Sequence, residues 1–396
     1  MTSFVQPTNP QQLFNLGPID PVENPYDIYR EMRAHAPVGE SGYGYYIANF
    51  ELAQQALLDD ETFSNKSNSP DYHGIGMVFG QTIVGMNGKE HLKHRNLITP
   101  ALRPRALGCE FREGARTTAD ALIDKFIESG RGNLVPDFTF LYPLSVFVQL
   151  LGLPQEDVQD FHEWGVDLTH VAADPERGLR GSACLAEYLE PVLKEKRDTP
   201  TGDLICRLLE AEVMGERMTD TEIIAFLRLL ITGGADTTYH LLGNTLHRLL
   251  SDSALMARVR ANRDDIEPLL WESLRWEAPV QFVSRQTNCE VNIGGVTIPD
   301  DAPVMVIIGS ANRDAAAFAD PDTFDIDRDQ GKSLAFGYGK HYCAGADFGL
   351  AEATIGMNAI LDRLDDIRFD DSADVPSVIR GVAFRGPSHL KVTFAG

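Results

Sequence analysis

Residues 336–345 read Phe-Gly-Tyr-Gly-Lys-His-Tyr-Cys-Ala-Gly, and the pattern behind them predicts a helix from about Ala346 to Leu364. Three glycines within ten residues allow tight turns and let the backbone approach a flat ligand closely. Loop N–H groups and the positive end of the following helix would both favour the thiolate form of Cys343. A buried structural cysteine in a glycine-rich loop is the alternative interpretation.

The rest of the chain predicts a mainly α-helical protein with a minor β part. From Glu90 to about Leu250, apolar residues recur at three- and four-residue steps, which is typical of helices. Residues 219–222, Thr-Asp-Thr-Glu, form a capping box that predicts one long helix running to about Leu250 and crossing the molecule. Short β patterns follow it at residues 282–287, 291–298 and 304–308. Because no linker is apparent, we expect a single domain over residues 1–396.

The bulk composition excludes several classes of protein. The formal net charge is −23, so the chain repels phosphate backbones and no nucleic acid partner is expected. The sequence has no run of about 18 apolar residues and no secretory pattern, so we expect a cytoplasmic protein without membrane contact. The 5 cysteines are scattered and lack a C-x-x-C pair, which disfavours disulfide frameworks and zinc sites.

The ten-residue loop resembles the haem-binding motif F-G-x-G-x-H-x-C-x-G of the cytochrome P-450 family and matches every fixed position. The resemblance covers about residues 25–394, is strongest to the soluble bacterial branch, and implies a P-450 fold with a long central helix over haem b. It implies that Cys343 is the axial ligand of the haem iron and that His341 reaches a propionate. It also implies that Phe336 packs against the ligand loop and that Gly345, which ends the motif, belongs to the cofactor-binding residues. A thiolate ligand promotes O–O bond cleavage.

An E-x-x-R motif agrees with the family's order along the chain. Glu272 and Arg275 are three residues apart, so they share a helix face and their charges can pair. The resemblance implies that this pair joins Arg328, which lies in an irregular stretch before the cysteine loop. The expected role is structural, because the three residues would lock the cysteine side of the core.

Basic residues match the positions at which the family binds the haem propionates. His91 and Arg95 form the motif H-x-x-x-R on one predicted helix face. Arg285 lies in a predicted strand at a further propionate-binding position. The residues that the resemblance assigns to the propionates are His91, Arg95, Arg285 and His341. A solvated basic face is the alternative, and His94 is expected to face solvent.

Residues 233–238 read Gly-Gly-Ala-Asp-Thr-Thr in the middle of the predicted long helix. Each glycine costs a helix about 1 kcal/mol relative to alanine, and helix packing by itself does not demand the pair. We expect them to open a groove or to let something flat pass near the backbone. The resemblance implies that Thr237 hydrogen-bonds dioxygen and that Asp236 relays protons from solvent, with Thr238 as the alternative hydroxyl. An ordinary glycine-faced helix crossing is the alternative interpretation.

The resemblance implies a monooxygenase that inserts one atom of O₂ into a hydrophobic small molecule such as a terpenoid, steroid or hydrocarbon. Its electrons are expected from a separate iron–sulfur ferredoxin with its reductase. A local basic surface on an acidic protein fits electrostatic docking of such a partner. The residues expected to form this surface are Lys93, Arg103, Arg105 and Arg112, with Lys332 or Lys340. A peroxygenase that uses hydrogen peroxide and a non-catalytic haem sensor are the alternatives, although the Asp-Thr pair argues against the peroxygenase.

Family position predicts the walls of the substrate pocket. The expected lining residues are Phe79, Phe226, Leu229, Leu230, Gly233, Val280, Phe282, Val283 and Phe384. Their apolar character is the reason for expecting a hydrophobic substrate.

Overall fold

The polypeptide folds mainly into α-helices, as the sequence predicts. The computed structural model describes residues 6–15, 22–72, 74–172 and 174–395. The earlier helices are α1 (Pro10–Phe14), α2 (Tyr26–His35), α3 (Phe50–Leu58), α4 (Gly76–Phe79), α5 (Gly88–Leu102), α6 (Pro104–Asp124, kinked at Gly108), α7 (Leu141–Leu150), α8 (Val158–Thr169), α9 (Pro175–Asp198) and α10 (Leu204–Glu210). The later helices are α11 (Asp220–Leu250), α12 (Ser253–Ala261), α13 (Ile266–Trp276), α14 (Ile308–Ala311) and α15 (Ala346–Arg363).

Short strands form small sheets at the edge of the helical body. They are β1 (Val38–Ser41), β2 (Gly44–Ile47), β3 (Phe63–Ser64), β4 (Arg131–Asn133), β5 (Glu212–Val213), β6 (Glu216–Arg217), β7 (Val283–Thr287), β8 (Val291–Ile293), β9 (Val296–Ile298), β10 (Pro303–Val306), β11 (Asp365–Phe369), β12 (Ile379–Arg380), β13 (Gly386–Pro387) and β14 (Lys391–Ala395). The main sheet has the order β1-β2-β10-β7-β3, with β10 parallel to β2 and the other neighbours antiparallel. A second sheet has the order β11-β14-β4.

The β pattern predicted over residues 291–298 is a hairpin. Gly294 and Gly295 separate β8 from β9 and have φ values of +58° and +81°. Positive φ at both central residues is the requirement of a two-residue hairpin turn, and glycine meets it without strain.

Helix α11 runs through the centre of the molecule. Its capping box is formed as predicted, since the Thr219 side chain accepts from the backbone of Glu222 and the Glu222 side chain accepts from the backbone of Thr219. The helix has 31 residues, which gives a length of about 46 Å at 1.5 Å per residue. It contacts α7, α8, α9, α13 and α15, and one large cluster of buried apolar side chains surrounds it. Across the described ranges, no helix combines the length and apolarity that a bilayer crossing requires.

A buried ion pair ties α13 to the irregular chain before the Cys343 loop. Arg275 donates to both carboxylate oxygens of Glu272 over 2.8 and 2.7 Å, and both side chains are at most 1% exposed. The Glu272 carboxylate also accepts from the backbone of Asp325 over 2.8 Å and lies 3.5 Å from Nε of Arg328. The structure therefore brings Glu272, Arg275 and Arg328 together.

The same network reaches the start of the loop itself. Arg275 donates to the carbonyl of Asn312 over 3.0 Å. The side-chain oxygen of Asn312 in turn accepts from the backbone N–H of Leu334 over 2.8 Å. Leu334 lies two residues before Phe336, so the ion pair sets the position at which the loop begins.

We expect Glu272→Ala to destabilise the protein strongly, because it leaves the Arg275 guanidinium buried without its carboxylate. Breaking a buried pair in this way costs about 3–5 kcal/mol. Glu267→Ala removes an exposed glutamate of the same helix and should change stability by no more than about 0.5 kcal/mol. Urea unfolding followed by circular dichroism measures both. Equal unfolding midpoints for the two variants would contradict the locking role of Glu272.

Candidate active site

The Cys343 loop is shaped by backbone hydrogen bonds and left-handed glycines. Gly337 and Gly339 have φ values of +76° and +72°, a region in which side chains cause strain. The N–H of Cys343 donates to the carbonyl of Phe336 over 2.8 Å and closes the loop. The Phe336 ring packs edge-on against Trp271, with 5.4 Å between the ring centroids. The loop is thus held in one conformation ahead of α15.

Cys343 keeps solvent-accessible surface although protein surrounds its thiol. Burial raises the pKa of the Cys343 thiol. A hydrogen bond from the backbone of Gly345 and the charge of Arg95 act in the opposite direction. The loop and helix end therefore do not suffice to hold a thiolate, which needs a further positive charge at the sulfur such as a metal ion supplies.

One face of α11 carries a row of residues with accessible surface. They recur at steps of three or four and are Leu229, Gly233, Thr237 and His240, while the neighbouring Arg228, Gly234, Asp236 and Tyr239 are also only partly buried. Residues at this spacing share a helix face. Thr238, which follows Thr237, is instead buried against α15. A Cβ added at Gly349 of α15 would lie 3.5 Å from the hydroxyl of Thr238. Because α15 begins three residues after Cys343, this contact brings α11 near the end of the Cys343 loop.

The structure gives a different reason for each of the two adjacent glycines of α11. A Cβ at Gly234 would clash with the ring of Phe147 on α7, so helix packing does demand this glycine and the sequence-based expectation is wrong here. A Cβ at Gly233 would meet no atom closer than 3.8 Å, in Leu229. Gly233 therefore widens the accessible face, as expected. The hydroxyl of Thr237 donates to the carbonyl of Gly233 over 2.7 Å, which places it on the same face.

Four basic side chains converge beside the loop. The rings of His91 and His341 have centroids 3.9 Å apart. Nε2 of each ring is buried and has no hydrogen-bond partner among the described residues. Arg285 of β7 and Arg95 of α5 lie close enough for their charges to act on His341.

The electrostatics of this basic cluster call for negative charge. Burial, helped by neighbouring positive charges, lowers the pKa of His91 to about 4 and that of His341 to about 3. Burial also lowers the pKa of Arg285 to about 10. The charge of Asp60 opposes these shifts, but Asp60 is already paired with Lys340 over 2.7 Å. An anionic group between these side chains would satisfy the orphaned nitrogens.

Comparisons with known proteins identify one family. The family profile described as Cytochrome P450 matches residues 177–372. Pulcherriminic acid synthase of Bacillus subtilis (strain 168) is 31% identical over 392 residues, covering 94% of this chain and 96% of that protein. The chain belongs to the cytochrome P450 family.

Solved P450 structures share the whole fold. Cytochrome P450 CYP109Q5 from Chondromyces apiculatus superposes with a TM-score of 0.85 at 32% identity, covering 94% of this chain and 95% of that one. CYP109E1 from Bacillus megaterium, solved in complex with testosterone, superposes with a TM-score of 0.85 at 26% identity, covering 94% and 100%. The predicted family, fold and enzyme class are confirmed, and this P450 is a haem-thiolate monooxygenase.

The cofactor of the family is haem b, bound through a cysteine thiolate, and the residues present fit it. Cys343 offers an accessible thiol, and Nε2 of His91 and of His341 lack hydrogen-bond partners among the described residues. The two propionates of haem b would supply two carboxylates at that position. Gly345, two residues after Cys343, has open space where a Cβ would be.

The residues predicted to line the substrate pocket fall into two groups. Those with accessible surface are Leu229, Gly233, Val280, Phe282, Val283 and Phe384, the last 39% exposed. A β-bridge joins Val280 to Phe384 and brings two of these segments together. The others are Phe79, Phe226 and Leu230, which are at most 8% exposed. They pack within the main apolar cluster, so their burial does not favour a lining role.

His94 does not face solvent, so that expectation is wrong. It is 3% exposed, and its Nε2 lies 2.9 Å from a carboxylate oxygen of Glu222, at the start of α11. Its Nδ1 lies 3.0 Å from the carbonyl of Glu90. His94 therefore fastens α5 to α11. The capping box already assigned Glu222 a local role, which hid this long-range partner in the sequence.

The sequence analysis also missed Glu352 of α15, a carboxyl group at 0% exposure. Burial raises its pKa well above the usual range, and the nearby hydroxyl of Thr238 offsets this only in part. Neither carboxyl oxygen has a well-formed hydrogen bond among the described residues. Glu352 is therefore a neutral acid beside the threonine pair of α11. A glutamate on the buried face of a helix was the signal that could have revealed it.

We expect Cys343→Ser to abolish the thiolate signature of the bound haem. Serine keeps the size of the side chain but replaces the sulfur ligand, so the reduced, carbon-monoxide-treated protein should lack the strongly red-shifted Soret band. Cys109→Ser changes an exposed cysteine of α6 and should retain that band. Absorption spectra of both variants test this. A red-shifted band in Cys343→Ser would show that another residue ligates the iron.

Proposed function

We propose that this P450 takes electrons from an acidic iron–sulfur ferredoxin, reduced by its reductase, and uses them with O₂ to hydroxylate or epoxidise a hydrophobic small molecule. Haem b, held by Cys343, supplies the activation of dioxygen and the transfer of one oxygen atom. The carrying observation is the row of accessible residues Leu229, Gly233 and Thr237 on α11, a helix that packs against α15 just after the Cys343 loop. We further propose that residues 1–396 act as one catalytic domain.

The cofactor-holding residues are assigned by their convergence at the loop. Cys343 is the proposed iron ligand, and the loop geometry of Phe336 and Gly345 supports it. The proposed propionate partners are His91, Arg95, Arg285 and His341. The unpartnered Nε2 atoms of His91 and His341 and the nearby charges of Arg95 and Arg285 support this assignment, because two carboxylates would satisfy the nitrogens and compensate the charges.

The proton path is assigned to the acid–alcohol pair of α11. Thr237 borders the accessible face and is the proposed hydrogen-bond partner of dioxygen. Asp236 is the proposed relay, and burial raises its pKa to about 7, so it can hold or release a proton at neutral pH. Thr238, the alternative hydroxyl, is buried toward Glu352 and is the weaker candidate.

The proposed docking surface for the ferredoxin is smaller than the sequence suggests. Lys93 pairs with Glu216, and Lys340 pairs with Asp60, so their charges are compensated. The exposed cations that remain are Arg103, Arg105, Arg112 and Lys332, and no ion pair involves them within the described residues. Their uncompensated charge supports steering of an acidic partner.

The position of this surface suits electron transfer to the cysteine side. The ring of Phe111 on α6 packs against Phe348 on α15, with centroids 4.9 Å apart. Phe348 lies five residues after Cys343, and Arg112 follows Phe111 directly. An acidic protein seated on Arg112 would therefore lie near the chain that leaves the proposed iron ligand.

The proposed substrate is hydrophobic because the accessible pocket residues are apolar. Leu229, Val280 and Phe384 leave apolar surface open, and Gly233 adds width without polarity. The CYP109E1 structure with testosterone supports a compound of steroid-like size and character. The burial of such a compound would contribute about 25 cal/mol per Å² of apolar surface removed from water.

We expect Arg112→Glu to slow ferredoxin-dependent reduction about tenfold at low salt, because it reverses a charge at the docking surface. Arg368→Glu changes an exposed arginine of β11 and should leave the rate unchanged. Stopped-flow reduction with a ferredoxin and its reductase measures both rates. Equal rates for the two variants at low salt would contradict the docking surface.

Turnover with hydrogen peroxide but not with ferredoxin would favour the peroxygenase alternative, and reductant consumption independent of substrate would favour the sensor.

We expect hydrophobic compounds such as steroids or terpenoids to shift the ferric protein from low to high spin. Gly233→Ala should weaken this binding about tenfold, equivalent to about 1.4 kcal/mol, because its methyl group enters the pocket. The adjacent Gly234→Ala should instead cost about 1–3 kcal/mol of stability through its clash with Phe147. Absorption titrations and thermal melts separate the two effects. Unchanged affinity in Gly233→Ala would place the substrate elsewhere.

A further inference from the structure

A small cavity lies behind Asp236, enclosed by α7, α8 and α11 and by the chain before α7. The space open to the centre of a water molecule is about 10 Å³, close to what one water requires. Among its lining residues, Asp236 of α11 and His162 of α8 carry titratable groups, and the others are mostly apolar. The cavity thus joins the relay acid of the proposed function to an imidazole on a different helix.

The ring of His162 is fixed in place at this cavity. It packs edge-on against Phe140, with 4.3 Å between centroids and an angle of 76° between the planes. Phe140 in turn packs edge-on against Tyr239 of α11, with centroids 5.3 Å apart. His162 is half-buried, and its neighbour Glu163 is exposed. The imidazole therefore stands between the interior cavity and the solvent side of α8.

Both titratable groups suit proton transfer near neutral pH. Burial raises the pKa of Asp236 to about 7. Burial lowers the pKa of His162, and the charge of Glu163 opposes that shift. The imidazole is thus mainly neutral at pH 7 and can accept and pass on a proton without trapping it. Tyr239 is the other titratable group beside the cavity, and burial and the charge of Asp236 raise its pKa to about 12, so it stays protonated.

We propose that His162 is a positioning residue that passes protons from solvent to Asp236 across a water molecule in this cavity. The proposal rests on the proposed relay through Asp236 and Thr237. In each passage one imidazole nitrogen takes a proton from solvent, and the other gives a proton to the water, which protonates the Asp236 carboxylate. No electron moves, and the imidazole returns to its neutral form as the opposite tautomer, which a half-turn of the ring converts back before the next passage.

The test uses the haem-loaded enzyme with its electron donors and a substrate that shifts the spin state. His162→Phe keeps a ring against Phe140 but cannot carry a proton, and His162→Gln keeps a polar group but also cannot. Both should raise the ratio of hydrogen peroxide to product about tenfold. In both variants the ratio of hydrogen peroxide to product should rise further between about pH 6 and pH 8. Over that range the proton concentration in solvent falls and the Asp236 carboxyl group loses its proton. His170→Gln, at the end of the same helix, should leave the ratio unchanged.

A second measurement does not depend on turnover. After a pH jump, the infrared carbonyl band of Asp236 reports its protonation, and Asp236→Asn identifies that band. Protonation should be about tenfold slower in His162→Phe than in the unmodified enzyme. A crystal structure of the unmodified, haem-loaded enzyme should show a water within hydrogen-bond distance of His162 and Asp236.

The outcomes separate this inference from the proposed function. Thr237→Ala should keep haem binding but divert electrons to hydrogen peroxide, and a fully coupled variant would overturn the relay itself. If Thr237→Ala is uncoupled while both His162 variants keep normal coupling and normal protonation rates, His162 is not the entry residue and only this inference falls. An empty cavity in the crystal structure overturns it too, even if a His162 variant fails to fold.

Discussion

The carboxylate of Glu272 is the contact on which the arrangement around the cysteine depends. One buried negative charge receives Arg275 from its own helix, the backbone of Asp325 from the irregular stretch, and the charge of Arg328. A charge in the interior is tolerated only when its hydrogen bonds are satisfied, so each partner is fixed by the others. Through Asn312 the same network positions the first residues of the ligand loop. The loop glycines would otherwise leave this part of the chain free to adopt several conformations.

The active site itself combines two opposite electrostatic environments. On the side of His91 and His341, two neutral imidazoles with unpartnered nitrogens lie near the charges of Arg95 and Arg285. On the side of α15, Glu352 is a neutral acid buried beside Thr238. A cofactor with an acidic edge and an apolar body would be more stable with its acidic edge toward the basic cluster, because a buried carboxylate without such partners is costly.

The sequence predicts the features that depend on local pattern. The capping box of α11 and the E-x-x-R pair follow from spacing along one helix, and the structure forms both. The motif around Cys343 carries the family, which the comparisons confirm. The contact of His94 with Glu222 joins residues 128 positions apart, and no local pattern encodes such a partner. The sequence analysis also missed the reason for Gly234, because the side chain that requires a glycine there is Phe147 on another helix. The charge compensation of Lys93 and Lys340 likewise depends on tertiary neighbours.

The packing of Phe147 against Gly234 limits how the proposed substrate pocket can change. Because an aromatic ring rests directly on the backbone of α11 from behind, this helix cannot retreat to admit a bulkier compound. In the proposed pocket, Val280 and Phe384 belong to short bridged segments rather than to a packed helix, so we expect new specificities to arise there. Directed evolution toward larger molecules is therefore best aimed at those segments, with the glycine and its aromatic neighbour left untouched.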